Sequence, residues 1–328
     1  MKKGNEEVPR QSNIELLRII AMLMIVAHHF AVHGNFNFST ETVSVNRLWI
    51  QFFHYVGKIG VDIFVLISGY FLVNAKFKIN KLMKLWIQMF TYSVLFYLIF
   101  AMRGGRMNFG VAEFVRCLFP ITYSHWWFAS AYFMLYLLLP YINKFLHTLE
   151  QESYQRLLVL LTCCWCIIPT ILAYSWQCND LLWFIYLYAV AGYYRIYHLK
   201  QKMKGRTCIV AAFALTAFAF LVIMILDCIG KRFSFVGIHA LFFSSMQRLP
   251  VPAIAFFMFA VFEKIQIPFN KFINIISSAT FGVYLIHDDS NVREYIWKGI
   301  FKNALFSESS YLIPYSILVI FLVYIVCT

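Results

Sequence analysis

The chain is short of charge. Only 13% of its 328 residues are Asp, Glu, Lys or Arg, about half the roughly 25% usual in a soluble domain. Acidic residues are the scarcer kind, 15 against 28 basic ones. No soluble domain, low-complexity tract or strong internal repeat interrupts the sequence. The cysteines are few and poorly arranged for metal. There are eight, of which Cys163, Cys164 and Cys166 lie in an apolar run, while Cys208, Cys228 and Cys327 sit at or near expected helix ends. A structural zinc site wants a C-x-x-C pair matched by a second pair elsewhere. Here the cysteines read as buried apolar fillers, so neither a metal site nor a disulfide framework is expected.

What the chain has in excess is apolar surface. Hydrophobic residues make up 61% of it and aromatics 19%, with a mean hydropathy of +0.69. This composition defines an all-α, polytopic membrane protein. A spanning helix needs about 20 mostly apolar residues. Ten stretches meet or approach that length: 14–33, 48–73, 82–102, 126–146, 157–174, 181–198, 207–229, 240–262, 273–290 and 311–328. Residues 1–13 form an N-terminal segment, and 14–328 a single transmembrane domain. The run from Ile14 is long and carries no small-residue cleavage site, so it reads as the first span and not as a leader. Pro250 and Pro252 threaten the helix in 240–262.

The net charge of +13 would suit a nucleic-acid binder, but in a chain of this class it reads as loop bias. Of the 28 basic residues, 17 fall in loops on the N-terminal side and 10 opposite, with Arg248 left in a span. Lys2, Lys3, Lys76, Lys78, Lys81, Lys84 and the run from Lys200 to Arg206 weigh on the first side, Arg103 and Arg106 on the other. The excess places the N-terminus, and with ten spans the C-terminus, in the cytoplasm.

Several polar residues lie where solvation is worst. "LLRIIAMLMIVAHHF", residues 16–30, holds Arg18, His28 and His29. Eleven steps of about 100° carry Arg18 to within roughly 20° of His29 on one helix face, with roughly 16 Å of rise between them. His28 points about 80° away from Arg18. Charged groups inside a membrane usually face the bundle interior and mark a pathway. The plainer readings are an interfacial anchor for Arg18 and a carbonyl-bonded core imidazole for His29. Asp62, in "GKIGVDIFVLISGYFL", must find a partner or remain protonated, and could equally be a structural interhelical tie. Gly60 and Gly69 allow close helix approach. His125, opening "HWWF", and His287, closing "SSATFGVYLIH", fall in the same outer layer as His29 and Asp62. Trp126 and Trp127 fit an interfacial belt or a stacking surface for a sugar ring.

Four pieces, "LLRIIAMLMIVAHHF" with its Arg-x10-His spacing, "GVDIFVLISGY", "HWWFASAYFMLYLLLP" and "SSATFGVYLIH", together resemble acyltransferase family 3 of integral membrane acyltransferases. They follow the family order from residue 16 to residue 287. The resemblance implies transfer of an acyl group, usually acetyl from acetyl-CoA, to a hydroxyl of a cell-surface carbohydrate. Capsule, lipopolysaccharide and exopolysaccharide sugars are the acceptors the family suggests, and the inner cell membrane the location. It also implies that Arg18 and His29 are required for activity. The family's G-V-D-x-F element maps to Gly60, Val61, Asp62 and Phe64, followed by Ser68 and Gly69. Its H-x-W-F element maps to His125, Trp127 and Phe128. Val65 stands where a second phenylalanine is common. The basic segment after the second span, often arginine-bearing, is all lysine here, without arginine's planar fork.

The expected chemistry combines both lines. His29 acts on the acceptor hydroxyl as general base, or as a nucleophile through a transient acyl-imidazole, with Asp62 orienting or stabilising the imidazole. Arg18 with Lys76, Lys78, Lys81 and Lys84 attracts acyl-CoA, which is a donor substrate; no permanently bound cofactor is expected. His125, Trp127 and His287 serve the acceptor side. The partners are then acyl-CoA, a carbohydrate or other cell-envelope acceptor and the bilayer, with no nucleic acid. A transporter or flippase of a lipid-linked or polymeric sugar would also need many spans, buried charges and an aromatic path.

Overall fold

An apolar chain in lipid must satisfy its backbone polar groups internally, which a helix does within one segment. Every regular element is accordingly helical among the described residues. The computed structural model describes residues 10–38, 43–102, 110–172, 174–237 and 239–328. Lys2, Lys3, Arg103 and Arg106, which enter the loop-charge tally, lie outside the described residues, as does most of segment 1–13.

Each of the ten apolar stretches contains a helix. In chain order the main elements are α1 (Ser12–His33), α2 (Val45–Leu72), α3 (Ile79–Met102), α4 (Val111–Leu118), α5 (Trp127–Thr148) and α6 (Gln151–Leu172). There follow α7 (Asp180–Ile196), α8 (Gly205–Gly230), α9 (Pro250–Lys264), α10 (Lys271–His287) and α11 (Leu312–Cys327). Five of them, α1, α2, α3, α6 and α8, are long and apolar enough to cross a membrane. The remainder of the expected ten have 15–17 residues in α7, α9, α10 and α11, or, in α5, tyrosines, Asn143 and Lys144 that dilute the hydropathy. The stretch 240–262 becomes a helix only from Pro250. Pro250 and Pro252 sit in the first turn of α9, where a proline's missing N–H has no intrahelical carbonyl to lose. The short α4 was not expected.

α1 is the hub. It packs on α2, α9, α10 and α11, while α2 also packs on α7 and α9. Ile14, Leu17, Ala21, Val26 and Phe30 of α1 are wholly buried. Two glycines of α2 set its spacing. A Cβ at Gly60 would lie 2.6 Å from the Ala21 carbonyl oxygen of α1, and one at Gly69 would lie 2.6 Å from the Tyr188 carbonyl oxygen of α7. By contrast α6 and α8 bury only 11% of their apolar windows in protein, leaving the rest as surface that lipid would cover. α8 is nevertheless tied inward. Arg47 Nη2 of α2 donates to Asp227 Oδ1 at 2.6 Å, and Gln51 Nε2 donates to the same oxygen at 3.2 Å. All eight cysteines are free.

Candidate active site

The polar face of α1 opens onto two cavities. The larger, about 520 Å³, has Arg10, Arg18, His29, Lys81 and Lys84 among its walls. The smaller, about 250 Å³, is lined by His28, His29, His33, Lys58, Asp288 and Arg293. Ile25, His29, Val61 and Trp127 border both. Arg18 and His29 thus share one face, as the helical wheel indicates, and that face looks into protein-lined space. The side chain of Arg18 is 30% exposed and lies 3.4 Å from Glu15. Its Cζ stands 6.0 Å from the centre of the Phe71 ring.

The hydrogen bonds around His29 fix its tautomer. His287 Nδ1 lies 2.5 Å from the Val283 carbonyl oxygen, one turn back in α10. A carbonyl can only accept, so Nδ1 carries the proton and Nε2 of a neutral His287 carries a lone pair. That Nε2 lies 2.9 Å from His29 Nδ1, so His29 donates from Nδ1. The free lone pair of His29 is consequently on Nε2. This atom faces Asp288 Oδ1 at 3.6 Å, beyond hydrogen-bond distance but close enough to stabilise an imidazolium. The backbone carbonyl, His287 and His29 thus form an orienting chain that leaves one proton-accepting nitrogen beside both cavities.

Asp62 does not belong to that chain. It is fully buried, and its Oδ1 accepts from Trp183 Nε1 of α7 at 3.0 Å. The partner that orients His29 is His287, placed by sequence reasoning on the acceptor side. His287 is itself wholly buried and lines neither cavity. His125 is drawn to a different carboxylate, with Nε2 at 2.9 Å from Asp289 Oδ2. Trp127 does border both cavities. Of the four lysines after α2, Lys81 and Lys84 reach the larger cavity, whereas Lys76 and Lys78 are exposed and line neither. His28, which the wheel turns away from Arg18, still lines the smaller cavity, with Nδ1 at 2.9 Å from the His54 carbonyl oxygen.

The sequence reading missed His33, Lys58, Asp288 and Arg293. His33 lies one turn after His29, a spacing that puts both on one helix face. The charged run His287-Asp288-Asp289 through Arg293, directly after an apolar helix, was the other available signal. Asp288 and Asp289 divide their work. Asp288 Oδ1 faces His29, His33 at 3.9 Å and Arg293 at 3.6 Å. Asp289 caps the short helix Ser290–Glu294 through the Asn291 and Val292 amides and holds His125. One ligand atom each from His29, His33 and Asp288 lie within 4.8 Å of one another. Two imidazoles and a carboxylate are a donor set that suits zinc. An ion held there would occupy the Nε2 lone pair.

Comparison with known proteins gives the family of the chain. The family model described as an acyltransferase domain matches residues 11–328, nearly the whole chain. The chain belongs to this family of membrane acyltransferases. No curated protein and no solved structure matches it.

Proposed function

We propose that the protein is a multi-pass O-acetyltransferase of the cell (inner) membrane, transferring acetyl from cytoplasmic acetyl-CoA to a hydroxyl of a cell-surface carbohydrate. The reading assigns ten crossings, with both described ends of the bundle on the cytoplasmic side. The observation that carries it is the position of His29, bordering both a basic cavity and a separate polar one. The Arg18 end, with Arg10, Lys81 and Lys84, suits the phosphates of CoA, which cations attract by charge-assisted bonds. The pantetheine arm runs along the wall formed by Met22, Ile25 and Phe64 to deliver the thioester to His29. The acceptor enters the smaller cavity from the opposite side.

The reaction then needs one proton transfer and one bond exchange. His29 Nε2 takes the acceptor's hydroxyl proton as the oxygen attacks the thioester carbonyl. The C–S bond breaks, the ester forms, and the CoA thiolate receives the proton back from the imidazolium. Asp288 faces the imidazolium while it exists. General-base catalysis of this kind contributes about 10²–10⁴-fold. Purified protein in nanodiscs, given labelled acetyl-CoA and extracted surface polysaccharide, is expected to form a base-labile labelled product. His29→Ala is expected to reduce its rate at least about a hundredfold at normal expression. Near-normal turnover in that variant would remove His29 from catalysis. Movement of glycan without any labelled ester would replace the enzyme by a transporter.

A further inference from the structure

The smaller cavity holds more positive charge than its walls neutralise. Lys58 and Arg293 both line it, against the single carboxylate of Asp288. Asp288 is already shared by Arg293, His29 and His33. Lys58 makes no ion pair within 4.0 Å among the described residues. The carboxylates of Asp62, Asp180 and Asp288 act on it only from beyond that range. Asp62 stands one turn further along α2 and would be its natural partner, but Asp62 turns to Trp183 instead. Its Nζ stands 6.0 Å from the centre of the Trp127 ring.

An ammonium lining a cavity with no carboxylate within 4.0 Å among the described residues, beside the nitrogen that accepts the acceptor's proton, favours a ligand of opposite sign. We propose that the Lys58 end of this cavity is an anion subsite, and that the acyl acceptor carries a carboxylate or phosphate near the hydroxyl that is acylated. Lys58 takes the anion, Arg293 adds a second positive charge, and Trp127 offers its ring to the face of the sugar. Asp288, on the same wall, keeps the anion away from His29 and biases it toward Lys58. The inference rests on the proposed acyl-transfer role only in naming the ligand an acceptor; the binding itself stands without acyl-CoA.

That independence sets the test. Purified protein in nanodiscs is titrated, without acetyl-CoA, with methyl glucuronoside, methyl glucoside 6-phosphate and neutral methyl glucoside, and binding is read calorimetrically. At least one charged glycoside is expected to bind about tenfold or more tightly than the neutral one, and Lys58→Met to erase the difference. Lys58→Arg should retain it. Preference for the glucuronoside identifies a carboxylate, and preference for the 6-phosphate a phosphate ester. Equal binding of charged and neutral glycosides by the wild type overturns the proposal. So does a preference that survives in Lys58→Met. If Lys58→Met does not fold, Lys58→Gln and the wild-type comparison decide the matter. Failure here leaves acyl transfer standing, whereas charged-glycoside binding without any labelled ester would sink acyl transfer and spare the subsite.

Discussion

A histidine can direct either nitrogen at a substrate, and here the choice is made 258 residues away. His287 donates its Nδ1–H to a backbone carbonyl, so its Nε2 can only accept from His29. His287 touches neither cavity, which separates its role from binding. His287→Phe is expected to lower kcat about tenfold to a hundredfold, a part of the roughly 10²–10⁴-fold that general-base catalysis supplies, while the KM for acetyl-CoA stays unchanged. His287→Gln should restore part of the loss, because its amide can both accept from His29 and donate to Val283. A matching rise in KM, or no rescue by glutamine, would reduce His287 to a packing residue. Sequence reasoning found both histidines but could not pair them, since period and spacing say nothing about contacts between helices so far apart. The same limit explains Asp62, whose partner Trp183 lies on another helix.

At the scale of elements the sequence was more legible. Hydropathy located helix in all ten stretches because an apolar run in lipid has few other ways to satisfy its backbone. What it could not assign was the exact start of α9, where two prolines open the helix instead of breaking it. Nor could it tell spans from shorter buried helices, since α7, α9, α10 and α11 stop at 15–17 residues. Glycine was informative. Gly60 and Gly69 stand where neighbouring backbones approach, and these contacts set the distance from α2 to α1 and α7. Gly60→Leu is expected to destabilise the bundle by at least the 1–3 kcal/mol typical of overpacking, because the obstacle is a backbone carbonyl and not a movable side chain. Its melting temperature in detergent should fall, and catalysis with it as His29 is displaced along α1. An unchanged melting temperature would show that α1 and α2 have room to separate.

For the whole molecule, acyl transfer from a cytoplasmic donor depends on which compartment each cavity faces. Lys78, in the loop after α2, and Glu308, before α11, are both exposed and lie at opposite ends of the proposed bundle. In intact cells, a membrane-impermeant maleimide is expected to label Glu308→Cys and to spare Lys78→Cys until the membrane is permeabilised, each compared with the parent chain. The reverse pattern would invert the protein and place the basic cavity where CoA is absent. Loop charge favours this orientation by 17 to 10. Labelling reads it directly.

The four side chains common to both cavities, Ile25, His29, Val61 and Trp127, have a further consequence. On the proposed mechanism, the group that takes the acceptor's proton is also part of the wall shared by the two cavities. Trimming it does more than remove a base, because it opens a gap through which water could reach the thioester. Selection on this position therefore works on tightness as well as reactivity, and any replacement must stop the leak before it can catalyse anything.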